Sequence, residues 1–182
     1  MFVRSSLLCL VLSVCTLRSV LGCRWIKHKF QHHHRVSLDL IEKMGEKIIE
    51  GHKNKSSINP IPYELINSYR TVEAEKQILF VIQTLMEITG VFEDADSAPW
   101  DKSTMEDFSN IIHEQIDGLQ LCGAFKTKRN KKLHLYFRRL RQMIELKTED
   151  AGKGWEIIRA RVISILKQLE FFSFYTHGST KS

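Results

Sequence analysis

Apolar residues in this chain recur at intervals of three and four, the spacing that lines one face of an α-helix. From Ser37 to about Glu50 they fall at Leu38, Ile41, Met44 and Ile48, which predicts a first helix that Gly51 is placed to end. The polar stretch from Gly51 to Pro62 carries two prolines and reads as a long overhand loop. A second helix is predicted from Tyr63 or Thr71 to Val91, with Ile78, Leu79, Ile82, Leu85, Met86 and Thr89 inside. Glu73, Glu75, Lys76, Gln83 and Glu87 fall mostly outside that stripe.

Gly90, the acidic run from Glu93 to Ser97 and Pro99 break the pattern, and Asp101 is placed to cap a third helix. Its stripe is Met105, Phe108, Ile112, Ile116 and Leu119, and it delivers Cys122 to its end. A fourth helix from about Lys131 turns Leu133, Phe137, Leu140 and Ile144 inward and Arg138, Arg139 and Arg141 outward. After a loop holding Gly152 and Gly154, a fifth begins at Trp155 and buries Ile158, Val162, Ile165, Leu166, Leu169 and Phe172. Five one-sided helices must share a core, which predicts an all-α bundle in one domain.

The first 22 residues do not belong to that pattern. Arg4, the apolar run from Leu7 to Val14 and the small residues near Gly22 read as a secretory leader, leaving residues 23–182 as the helical domain. The leader removes Cys9 and Cys15, so the mature chain opens on Cys23 and holds one other cysteine, Cys122. Two thiols in an oxidising compartment most simply form one disulfide. It would close a loop of about 100 residues and contribute on the order of 4 to 5 kcal/mol at most. Val20-Leu21-Gly22-Cys23 also fits a bacterial lipoprotein box, but Arg24-Trp25-Ile26 follows at once in place of a polar tether. No later apolar run is long enough to span a bilayer, so no membrane insertion is expected.

The whole chain carries +6, and removal of Arg4 and Arg18 leaves the mature protein near +4, too mild a charge to argue for nucleic acid. There is no phosphate loop, no His-Glu-x-x-His pair, no nucleophile elbow and no Cys-x-x-Cys, so neither an enzyme nor a cofactor is expected. His32-His33-His34, with His28 nearby, would point in different directions on a helix and does not define a metal site. The basic stretch from Lys126 to Arg141 fits contact with an acidic receptor face or heparin-like chains, or a plain solvated surface. Asn54-Lys55-Ser56 matches an N-glycosylation acceptor at Asn54.

Two segments are more specific. Asp96-Ser97-Ala98-Pro99-Trp100-Asp101 continues through Phe108 to Leu119-Gln120-Leu121-Cys122, and Leu135-Tyr136-Phe137-Arg138-Arg139-Leu140 is followed by Trp155-Glu156-Ile157-Ile158-Arg159-Ala160. With the mature N-terminal cysteine, these resemble a type I interferon over essentially the whole mature chain. Lys153 stands where many mammalian members carry a further cysteine, so the Cys23 and Cys122 pair resembles the two-cysteine group of fish type I interferons.

The resemblance implies a secreted antiviral cytokine with a five-helix bundle, a long first overhand loop and one disulfide. It would crosslink two class II cytokine receptor chains and activate Janus kinases and STAT factors. The first loop and last helix would face one chain, and the second to fourth helices the other. Arg159 and Ala160 match the family's last-helix contact, with Ile163 and Ser164 one turn on, and Lys55 lies beside the matching loop position. From the residues alone, Arg159 sits at the border of its stripe, open to a partner's carboxylate or to an exposed pair with Glu156. Two other readings compete: a cytokine of the interleukin-10 or lambda-interferon type, and a basic host-defence protein acting directly on microbial membranes.

Overall fold

The computed structural model describes residues 25–45, 59–93, 95, 98–122, 129–145 and 151–172, apart from the side chains at 27, 144, 145, 151 and 153. The leader, Cys23, Asn54, Lys55, Lys126, Lys128 and the inward placement of Ile144 lie outside that description. Among the described residues the regular structure is helical throughout. The helices are α1 (Gln31–Lys43), α2 (Tyr63–Arg70), α3 (Ala74–Phe92), α4 (Lys102–Gln120), α5 (Lys131–Glu145) and α6 (Ala151–Leu169). One π-helical turn, Ile26–Phe30, leads into α1.

Around the core, α1 packs on α4 and α6, α3 on α4 and α5, and α5 on α6, which closes the ring. Of the stripes predicted for α4, α5 and α6, the buried members are Phe108, Ile112, Ile116 and Leu119, then Leu133, Phe137 and Leu140, then Trp155, Ile158, Val162, Ile165, Leu166, Leu169 and Phe172, whereas Met105 is only partly buried against the core. Asp101 caps α4, its carboxylate accepting from the Thr104 backbone N–H and hydroxyl, each at 2.8 Å. Those bonds hold its carboxyl below the ordinary value of 3.8.

Four boundaries differ from the sequence expectation. The first helix ends at Lys43, with Met44 and Gly45 already outside it, and not near Glu50; Ile48 and Gly51 lie outside the described residues. The first helix begins before Ser37, because its buried face also uses Phe30, His34 and Ser37, two of them polar and so hidden from a hydrophobic pattern. The predicted second helix is two, α2 and α3. The break is stabilised by Gln77, whose side-chain amide donates to the carbonyls of Arg70 and Val72 at 3.1 and 2.7 Å. The last helix begins at Ala151, so Gly152 and Gly154 lie in its first turn; glycine weakens a helix without forbidding it.

The central helix α3 is buried on nearly all sides, and here two residues exchange their expected places. Met86 is 54% exposed, whereas Glu87 is buried. A lone buried carboxylate would be costly. Glu87 is matched by Arg129 at 3.1 Å, His134 at 2.9 Å and Arg141 at 3.8 Å, which fasten α3 to α5 and the residues before it.

His34 performs the same office between α1, α4 and α6. Its Nδ1 lies 3.3 Å from Gln115 Oε1 and its Nε2 3.0 Å from the Leu166 carbonyl oxygen. Burial pushes its pKa below the ordinary 6.5, against the opposing pull of the Leu166 carbonyl, the Glu170 charge and Gln115. The folded state therefore favours neutral His34. Its contribution to stability is complete above the unfolded-state pKa and is lost as pH falls below it. Melting temperatures measured from about pH 7.5 to 5.5 should fall less steeply for His34→Gln than for the native chain. Equal slopes would contradict this linkage.

Candidate functional site

The residues that single this sequence out meet at one end of the bundle. Trp155 of α6 is fully buried and meets Trp100, from the α3–α4 connection, edge to face at 5.5 Å. Trp100 in turn stacks near Phe92, which tilts against Phe108. The Trp100 indole N–H donates to Glu156 Oε1 at 2.7 Å. The other oxygen, Glu156 Oε2, accepts from Arg159 Nε at 2.8 Å and Nη2 at 2.7 Å. Arg159 Nη1 then reaches α1, donating to the carbonyls of Ile41 and Glu42 at 3.1 and 3.3 Å.

This geometry follows from how helices end. The last four carbonyls of a helix have no partner within it and carry the negative end of its dipole. A planar guanidinium with five donors can serve two such carbonyls and a carboxylate at once, which a lysine cannot. Gly45, just beyond α1, completes the fit: a methyl group there would overlap the Arg159 and Glu156 side chains.

Arg159 is thus not at the border of its stripe. It is 1% exposed and its fork is engaged inside the protein, so the geometry expected for direct reach to a partner's carboxylate is corrected. The exposed pair with Glu156 is corrected too, since the arginine is interior although the carboxylate is half-exposed. Ile163 is likewise buried, at 5%. The outward side of α6 is formed by half-exposed Ile157, Ala160, Arg161 and Ser164, with exposed Lys167 paired to Glu42 of α1 at 2.6 Å. The Ser164 hydroxyl donates to the Ala160 carbonyl at 2.9 Å.

At the opposite edge, Cys122 is half-buried just past the end of α4, its thiol 3.7 Å from the Gly118 carbonyl. The Trp25 indole lies across Gly118 so closely that a methyl group at that position would overlap it. The histidine run is helical, and its members diverge: His32 is exposed, His33 pairs with Glu114 at 3.0 Å and His34 faces the core. Sequence reasoning missed His34 as a core residue; its four-residue spacing from Phe30 and Leu38 is the signal that could have found it.

Removing Arg159 would leave two helix-end carbonyls without their donor and Glu156 with the Trp100 indole and water as partners. Arg159→Ala should cost about 3 kcal/mol in denaturant unfolding, with Arg159→Lys recovering only part of it. A chain as stable as the native one would contradict the interior role.

Residues 26–175 match the family model for the interferon alpha/beta domain. The chain is 29% identical to interferon a3 of Oncorhynchus mykiss over 175 residues, covering 95% of this chain and 98% of that protein. It is 26% identical to interferon alpha-1/2 of Canis lupus familiaris over 109 residues, 56% of this chain and 58% of that one. The fold is similar to that of zebrafish interferon 1, with a TM-score of 0.65 and 25% identity over 86% of this chain and 99% of that structure. A bundle of this form, clasped by the residues that first suggested the resemblance, thus belongs to the type I (alpha/beta) interferon family of helical cytokines, and is similar to its fish members.

Proposed function

We propose that the protein is a secreted antiviral cytokine that crosslinks two class II cytokine receptor chains and activates Janus kinases and STAT factors. Membership in the interferon family carries this reading. The leader pattern of residues 1–22 supports secretion, and no helix among the described residues is long and apolar enough to cross a membrane. Direct membrane attack needs a free apolar face on the basic helix, whereas Leu133, Phe137 and Leu140 are spent on the core.

One receptor chain would meet the outward side of α6, centred on Ala160 with Arg161 and Ser164, together with the first loop and its Lys55. The other would meet α3 to α5. Arg159 contributes from beneath, by fixing α6 against the end of α1 from which that loop departs, and Ile163 supports the same face from the core. A disulfide between Cys23 and Cys122 would secure the N-terminus beside α4; the seat of Trp25 on Gly118, one turn before Cys122, favours it. Asn54 would carry any N-linked glycan on the first loop.

The test is STAT phosphorylation in receptor-bearing cells within the first hour. The preparation should begin at Cys23, with its link to Cys122 verified by non-reducing peptide mapping. A dose-dependent response is expected. Ala160→Glu, which adds bulk and charge at the centre of the face, should shift the half-maximal dose upward by about tenfold or more at unchanged melting temperature. Silence from the folded native chain would overturn the function, and an unmoved dose–response for Ala160→Glu would overturn the face.

A further inference from the structure

The cations of α5 are divided between two environments. On the side toward α3, Glu87 takes His134 and Arg141 of α5, and Arg129 just before that helix, as its partners. Lys131, Lys132, Arg138 and Arg139 are exposed instead, and none has an ion-pair partner among the described residues. Lys131 and Lys132 also border a groove between α2, α3 and the start of α5. Half-buried Leu65, Tyr69 and Leu79 line it, and Lys76 stands on its other side.

We infer that this face binds a linear sulfated polysaccharide of the kind displayed at cell surfaces. The inference rests on the protein being an extracellular ligand, as proposed above. Lys131 and Arg138, like Lys132 and Arg139, are two helical turns apart, about 10 Å along the axis. A single small anion can satisfy one end of that array but not both. A chain bearing sulfates at every sugar repeat can run along the groove and over both pairs, gaining from each cation a modest, salt-sensitive attraction.

Other polyanions fit less well. Single-stranded nucleic acid gains much of its affinity from exposed aromatic platforms. Here Tyr69 is half-buried and already stacked on Phe80 at 4.2 Å. An anionic membrane needs an apolar face to enter. The outward side of α5 offers Leu135, 36% exposed, among charges.

Binding of the purified chain to a heparin octasaccharide tests the inference. Lys131→Ala/Lys132→Ala/Arg139→Ala should weaken it by about tenfold or more at physiological salt. A control that removes three exposed cations elsewhere, Arg35→Ala/Lys43→Ala/Lys102→Ala, should change it far less, both variants keeping the native melting temperature. Equal losses in the two variants would reduce the effect to net charge and overturn the site. So would absence of octasaccharide binding, or preferential binding of single-stranded DNA or phosphatidylserine vesicles through the same residues. No receptor enters this assay, so its failure would leave the signalling function standing.

Discussion

A guanidinium held in the interior binds together three segments that are remote in sequence. Taking such a charge out of water is costly, and the cost is offset only where every donor meets an acceptor in good geometry. Arg159 finds a carboxylate in its own helix and two carbonyls at the end of α1. Glu156, which neutralises it, is oriented in turn by the Trp100 indole from the α3–α4 connection. The end of α1, the entry to α4 and the start of α6 are therefore positioned by one chain of bonds.

Apolar stripes alone would hold the helices together without choosing how far each slides along its neighbour. Buried polar links make that choice, because a half-satisfied link is worse than none. His34 aligns α1 with α4 and α6, and Glu87 aligns α3 with α5. Arg70 ties α2 to α6 through the Gln168 carbonyl and side chain, at 3.2 and 2.7 Å. His34 and Glu87 are themselves interior, whereas the Arg70 link to Gln168 is half-buried.

The bundle was legible in the sequence because periodic Leu, Ile and Phe positions answer directly to burial. What escaped were positions where polarity and burial disagree. Glu87 looked like a surface residue because charge normally stays in water, and only the fold brings Arg129, His134 and Arg141 around it. Arg159 looked like a border residue for the same reason, and its partners Ile41 and Glu42 lie more than a hundred residues away. The Trp-Glu-aliphatic-aliphatic-Arg motif identified the family correctly, yet its arginine marks how the fold is closed. The roles of Gly45 and Gly118 likewise depend on neighbours that no local pattern reveals.

The outward side of α6 thus rests on a buried polar clasp that joins Trp100, Glu156 and Arg159. A double-mutant cycle between Trp100→Phe and Arg159→Ala, read by denaturant unfolding, measures that unity directly. The two residues do not share a hydrogen bond and can couple only through Glu156 and the packing around it. The account predicts a coupling free energy above about 1 kcal/mol, and effects that add to within about 0.5 kcal/mol would contradict it.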